Sequence, residues 1–406
     1  MERGFMNYIL LIAIITPLSI YSQPKLGIDV INKHEVLNHL VNKRVGIITN
    51  HTGINSSGHR SIDILLEQRV NLTAIFCPEH GFDGTIAASA EVHHTIDEKT
   101  GIPVVSLYKT ATKRIPQDWL DQLDCLLFDI QDSGMRHYTY ISTLMYAMQS
   151  AAKAGISFVI LDRPNPLTGR MEGPLVEPEL ISFISIAPIP LRHGLTIGEL
   201  ALYFNSHVLN NVVSLYVVPM QQYKRHKQPN YLSKSLSPNI TNLQSCFGYS
   251  FFGVLGEVKP FELGIGSPKA FKCILLPESL QFPKKHWFEL DHMLQKHGIK
   301  STWYEYYHQK KKLQFYGLEL FIKNINEVRS FTVLLDILKF FKNKGITLTC
   351  SPEFDKAVGT PKIRQWMHGE LPFIHLTEYI NTNITEFRKK ISPLLLYESQ
   401  LKWQKL

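Results

Sequence analysis

The sequence carries few of the short signatures that tie a chain to a cofactor or a familiar chemistry. No GxGxxG follows the first predicted strand, which disfavours a dinucleotide site. The absence of GxxxxGK[ST], HExxH and GxSxG removes the usual phosphate-loop, zinc-protease and serine-hydrolase readings. Cysteine is scarce: five in 406 residues, an odd number, with no Cys-x-x-Cys. No disulfide framework follows from that, although one bridge in the C-terminal half stays open. Cys77 and Cys125 lie in apolar runs, where a cysteine is ordinarily a small buried hydrophobe. Neither a metal nor another cofactor is called for. Glu91 with His93 and His94 has the donor types of a metal site, but adjacent histidines rarely share one ion.

Long apolar runs are also absent after the first two dozen residues. Before that point Arg3 precedes an almost wholly apolar stretch at 8–20, followed by the small residue Ser22. The run is short for a membrane span and has the layout of a secretory leader over residues 1–22. The expectation is a periplasmic or secreted protein with no stable membrane anchor after cleavage; an uncleaved anchor is the alternative. No cysteine follows the stretch, which argues against a lipoprotein. The net charge of +8 is uneven: residues 1–220 hold 16 basic and 20 acidic side chains, and 221–406 hold 27 and 15. The lysines are scattered and not interleaved with aromatics, so nucleic acid is not an expected partner. A solvated basic surface is the simpler reading of the second half.

From residue 45 the chain alternates between apolar runs and helical patterns. Strands are expected at 45–50, 72–77, 103–108, 124–130, 157–161 and 212–218, with helices at 61–70, 116–123, 140–154 and 196–204. Gly155 supplies a helix stop, and Thr196 with Glu199 has the spacing of a capping box. Such alternation predicts an α/β fold, a mostly parallel sheet with helices on both faces, over residues 23–225. A polar, proline-bearing stretch follows at 221–242. A smaller α/β or α+β unit, residues 240–406, has strands at 271–276, 313–322 and 346–350 and helices at 328–342 and 384–397.

Polar residues gather just past the strand ends, the edge where open α/β sheets bind ligands. Strand one ends in Asn50, strand two in Glu79 and His80, and strand three in Tyr108. Strand four ends in Asp129 and Asp132, followed by Arg136 and Tyr138, and strand five in Asp162, Arg163 and Asn165; His193 lies in a further loop. Carboxylates, tyrosines, histidines and arginines suit a hydroxyl-rich, partly anionic ligand, and paired carboxylates suit acid–base work at a glycosidic bond. Glu79, which follows the apolar strand and Pro78, is the candidate general acid. Asp129 and Asp132 are three residues apart and point to opposite sides of an extended chain, so one of them is structural. Asp162 beside Arg163 can equally be a local hydrogen-bonding pair.

An ordered set of motifs then resembles one family. Pro78-Glu79-His80-Gly81-Phe82, Glu91, Ser106-Leu107-Tyr108, Phe128-Asp129-Ile130-Gln131-Asp132, Tyr138-Thr139-Tyr140, Asp162-Arg163-Pro164-Asn165-Pro166 and His193-Gly194-Leu195-Thr196 look like the exo-β-N-acetylmuramidases of the NamZ type. The resemblance implies a Rossmann-like N-terminal catalytic domain, a cleft between it and the C-terminal domain, and release of N-acetylmuramic acid from the non-reducing end of peptidoglycan fragments. It makes Glu79 the acid/base; the second carboxylate stays open among Glu91, Asp129, Asp132, Asp162 and Glu177, with Asp129 and Asp162 taken as the catalytic candidates. Asn50, His80, Glu91, Tyr108, Arg136, Tyr138, Arg163, Asn165 and His193 become candidates for binding muropeptide-derived sugars. The lactyl carboxylate of muramic acid needs a cation, for which Arg136, Arg163 and Arg192 are available. The chain departs from the family at Asp83, at Ala90 and at Val254-Leu255-Gly256-Glu257, where a Gly-Arg-Gly-Thr stretch is usual. Those departures keep a non-catalytic glycan-binding relative as the alternative.

Overall fold

Six parallel strands organise the first half: β1 (Arg44–Thr49), β2 (Asn71–Cys77), β3 (Pro103–Ser106), β4 (Cys125–Asp129), β5 (Ser157–Leu161) and β6 (Leu215–Val218). The computed structural model describes residues 23–86, 94–108, 112–226 and 232–397. The expected leader, Glu91 and His93 lie outside them. The strands run in the order β3-β2-β1-β4-β5-β6, with a short antiparallel strand, Thr95–Ile96, beyond β3. This is the doubly wound order, whose direction of build-up reverses between β1 and β4. The inner strands β1, β2, β4 and β5 are buried on both faces beyond their first residues, as a parallel sheet requires, while the edge strand β6 is partly exposed. At Gly46 of β1 a side chain would collide with the Phe76 ring 2.7 Å away, so only glycine fits there.

One face packs against Ile28, Ile31 and Leu40 near the chain start and against α1 (Ser61–Glu67). The other packs against α2 (Tyr140–Ala154) and α3 (Ile197–Tyr203). Gly155 ends α2 in the left-handed conformation, and Thr196 and Glu199 form the expected capping box on α3. The second half holds α4 (Leu243–Leu255) and a three-stranded antiparallel sheet, β7 (Cys273–Pro277), β8 (Ile299–His308) and β9 (Leu313–Ile322), in the order β7-β9-β8. Around it lie α5 (Lys284–Gln295), α6 (Ser330–Asn343) and α7 (Phe373–Ile391). The expected closing helix is therefore shifted: α7 stops before Pro393, which lies in a single tight turn. The sequence reading also lacked α4, α5 and β8. In α4 nine of thirteen residues are buried, so it has no apolar stripe to betray its period.

The two halves are not separate beads. One apolar core runs from Ile48 of β1 to Ile391 of α7. The hairpin Glu172–Leu175/Pro190–Arg192 stitches across the seam: Arg192 donates to the Val328 carbonyl at 3.2 Å, and Glu172 accepts from the Phe331 N–H at 2.9 Å. All five cysteines are free thiols. No helix among the described residues is long and apolar enough to cross a membrane.

Asp162, at the end of β5, is the knot of this architecture and is completely buried. Its Oδ2 accepts from the Tyr397 hydroxyl at 2.5 Å and from Thr196 Oγ1 at 2.9 Å, and its Oδ1 from the Gly198 and Arg163 N–H groups. Burial, reinforced by the nearby Glu199 charge, pushes its carboxyl up to about 6. The folded chain therefore holds this proton more tightly than the unfolded one, and this group's contribution to stability falls as pH rises from 3.8 to about 6. Asp162→Asn keeps the shape, and both hydroxyls can turn to accept. Relative to wild type, the variant is expected to gain stability between pH 4 and pH 7, by up to about 3 kcal/mol at roughly 1.4 kcal/mol per unit. Denaturant unfolding at the two pH values checks this; a pH-independent difference contradicts it.

Candidate active site

Pro78 stops β2, and the chain then turns sharply, with both His80 (φ 71°) and Gly81 (φ 76°) in the left-handed region. Gly81 donates to the Pro78 carbonyl at 3.1 Å, and His80 Nδ1 lies 2.6 Å from the Ile86 carbonyl, which pins the loop. The turn lifts Glu79 out of the sheet, half-exposed, at the C-terminal strand edge. Its Oε2 accepts from Thr139 Oγ1 at 2.6 Å and from the Tyr108 hydroxyl at 3.4 Å, and its carbonyl from the Tyr140 hydroxyl at 3.4 Å. Thr139 is the N-cap of α2, yet its hydroxyl makes no capping bond. A residue type favoured at that position for capping is instead turned onto Glu79, the kind of local conflict that marks a functional site.

A group of aromatic hydroxyls faces the same space. Tyr138 and Tyr140 both donate to the Leu236 carbonyl, at 2.8 and 3.3 Å, so the segment around Leu236 closes over the strand ends. Tyr249 of α4 reaches in from the second half, with its ring 4.6 Å from that of His137. Burial, with the charges of Glu79 and Asp132 adding to it, keeps the Tyr249 phenol protonated well above its ordinary range. Burial also pushes the His137 imidazole down to about 3, so it is neutral. Sequence reasoning missed Thr139, Tyr140, His137 and Tyr249 as site residues. The first three stand beside predicted ones; Tyr249 lies on the unforeseen helix.

Several predicted residues sit below the surface. Asp129 is completely buried in a bidentate pair with Arg163, Nε–Oδ1 2.6 Å and Nη2–Oδ2 2.8 Å, and also accepts from the Ser61 hydroxyl. Asp162 is enclosed by the network described above. Neither carboxylate has a face toward a ligand, so both are corrected from catalytic to structural. The arginines are corrected too. Arg136 is fully buried, with its guanidinium held by the carbonyls of Pro174, Ile189 and Ala357 and by Ser185 Oγ. Arg163 is committed to Asp129 and the Ile54 carbonyl. Arg192 is bound by the Leu167 and Val328 carbonyls and Ser330. None of the three is open to an anionic ligand. Asn165 supports the site from behind, bonded to Leu195 and Leu167 and pressed against the Gly134 turn (φ 91°).

Asp132 reverses the expectation for the strand-four pair. Its Oδ2 accepts from the Gly134 N–H at 2.6 Å and meets His193 Nε2 at 3.1 Å. His193 Nδ1 accepts from the Leu195 N–H, so Nε2 carries the hydrogen. Asp132 Oδ1 is buried and has no partner. Asn50 holds the neighbouring strand end, with its Oδ1 accepting from Thr52 N and Oγ1 at 2.9 and 2.6 Å. At the departure near the start of the second half, Leu255 is completely buried at the end of α4.

A doubly wound sheet with an acid, phenols and amide-type groups at its strand ends, and no nucleotide loop, defines a Rossmann-like protein with a polar strand-edge site. The chain belongs to the NamZ exo-β-N-acetylmuramidase family: the model of its N-terminal part matches residues 45–244 and that of its C-terminal part 247–397. The peptidoglycan β-N-acetylmuramidase NamZ of Bacillus subtilis is 35% identical over 381 residues, 88% of each chain. Two solved structures of DUF1343 family proteins from Bacteroides fragilis are similar throughout. One has a TM-score of 0.79 at 30% identity, covering 92% of this chain and 99% of that one; the other has 0.74 at 27%, covering 93% and 100%.

The assignment of Arg163 to the fold has a measurable consequence. Arg163→Met leaves Asp129 buried without its partner and is expected to lower unfolding free energy by about 3–5 kcal/mol. Denaturant unfolding would read the loss; an unchanged midpoint would return Arg163 to the ligand-binding set.

Proposed function

We propose that this chain is an exo-acting glycoside hydrolase that releases N-acetylmuramic acid from the non-reducing end of peptidoglycan-derived glycans. The observation that carries the reading is Glu79, a carboxyl group held at the strand edge by Thr139 and Tyr108 in a member of this family. As general acid, Glu79 gives its proton to the glycosidic oxygen as the bond from C1 to that oxygen breaks. Positive charge develops on the sugar ring, and water then adds to C1 and loses a proton to give the free sugar. Tyr108 and Thr139 fix the direction of the carboxyl, so its proton is delivered from one position. Burial and the Glu79 charge hold Tyr108 protonated, which keeps it a donor to that carboxyl.

With the three arginines closed off, Lys113 is the cation assigned to the lactyl carboxylate. It is half-buried, with Nζ 5.5 Å from the Tyr108 ring centre and 5.0 Å from that of Phe183, and it makes no ion pair among the described residues. Tyr108 thus links the cation to the acid. Work outside the cytoplasm is part of the proposal, and the basic-then-apolar stretch ahead of residue 22 supports it.

Incubation with a MurNAc–GlcNAc disaccharide and with a chromogenic muramic glycoside tests the activity. Free N-acetylmuramic acid is the expected product; binding without release would turn the chain into a glycan-binding relative. Glu79→Gln is expected to lower turnover by about 10²–10⁴-fold with the fold intact, because the proton donor is gone. Lys113→Met is expected to raise KM about tenfold for the free carboxylate and to leave kcat and the lactyl methyl ester little changed. An equal effect on acid and ester would remove Lys113 from this role.

A further inference from the structure

Eleven buried side-chain polar atoms among the described residues have no hydrogen-bond partner, and five of them belong to Asn50, His51, Asp132 and His137 beside the strand ends. Buried polar groups in folded proteins are nearly always satisfied, so a cluster of orphans at one place calls for a ligand. Two of them are locked in direction. Asp132 is 5% exposed; Gly134 and His193 hold its Oδ2, which leaves Oδ1 aimed away from both. Asn50 is 3% exposed; its Oδ1 is taken by two donors from Thr52, so its outward atom is the amide donor Nδ2. The Asn50 side chain also faces the Tyr140 hydroxyl and partly offsets the upward push that burial gives that phenol.

Their residues are linked through the sheet. Thr49 pairs with Asp129 across β1 and β4, and Thr52 Oγ1 joins the Asn50 side chain to the Gln131 N–H, one residue from Asp132. They therefore flank the point where the strand order reverses, the crevice in which open α/β sheets bind ligands. Glu79 stands on the adjacent strand, and its charge and that of Asp132 both bear on Tyr249.

We propose that Asp132 Oδ1 and Asn50 Nδ2 form a reader for the acetamido group of the bound sugar, Asp132 accepting from its N–H and Asn50 donating to its carbonyl. A secondary amide is the group that presents one donor and one acceptor back to back. On a 2-acetamido sugar it sits on the carbon next to C1, within reach when Glu79 addresses the glycosidic oxygen. The inference rests on the hydrolase reading for the orientation of the sugar, but not for the existence of the pair. Asp132 and Asn50 are thereby specificity-determining residues, and a site built to hydrogen-bond a substrate group discriminates strongly against analogues that lack it.

Equilibrium binding of N-acetylmuramic acid and of its 2-hydroxy counterpart, 3-O-lactylglucose, tests the pair in the wild type, Asp132→Asn and Asn50→Asp. Both variants are isosteric, and melting temperatures report whether each folds. The wild type is expected to prefer the acetamido sugar by about tenfold or more. Either folded variant is expected to lose most of that preference, with little change for the 2-hydroxy sugar. Equal weakening for both sugars, or an unchanged preference in the two variants, overturns the proposal. If Asp132→Asn fails to fold because His193 loses its partner, Asn50→Asp alone decides. Turnover of the chromogenic muramic glycoside separates the two claims. No turnover with intact acetamido preference ends the hydrolase reading alone, and turnover with no acetamido preference ends this inference alone.

Discussion

The bidentate pairing of Arg163 with Asp129 is the constraint on which the strand edge depends. It joins the ends of β4 and β5, and through Ser61 and the Ile54 carbonyl it also fixes the start of α1 and the loop that follows β1. Two charges completely out of water are tolerable only because every polar contact is made. Once that plate is rigid, the residues just above it cannot wander. Asn50 is held on one side, and the turn carrying Gln131, Asp132 and Gly134 on the other. The polar side chains a ligand meets are therefore a second storey on a charged but neutralised floor.

The same economy of position explains the arginines. A guanidinium is the natural partner of an anion, but in Arg136 and Arg192 burial pushes the group down, to about 9 and about 10, and backbone carbonyls take its donors. These side chains act as struts between segments distant in the chain: Arg192 ties the hairpin to Val328, just ahead of α6, and Arg136 ties the loop after β4 to Ala357 in the short helix Phe354–Val358. Glu199 and Arg225 form a further buried pair, with the Leu396 N–H also donating to Glu199. Charge inside this protein mostly organises backbone. The hydrogen bonds that Tyr108, Thr139 and Tyr140 make to Glu79 come from neutral hydroxyls, with the Lys113 cation beyond the Tyr108 ring.

Much of this was legible in the residues. Apolar runs buried on both faces announced the parallel sheet, and Pro78 announced where β2 would stop and Glu79 begin. The alternation of an extended chain predicted that Asp129 and Asp132 point opposite ways. It could not tell which way was inward, because that is decided by Arg163 on the next strand. The arginines misled for a related reason: a motif records that a guanidinium is present, not that three carbonyls from elsewhere surround it. Tyr249 was hidden because α4 is apolar all round, and its approach to His137 spans more than a hundred residues of chain. Long-range pairing of this kind is what local periodicity cannot encode.

Asp162 also joins the two ends of the described chain. Gly27 donates to its carbonyl at 3.0 Å, Tyr397 binds its carboxylate, and the Lys25–Gln221 bridge lies alongside. Residues near both ends of the described chain thus meet at one buried side chain. During synthesis the order matters. The first strands emerge long before Tyr397, so the end of β5 waits for that residue, 235 positions later, before its carboxylate is enclosed.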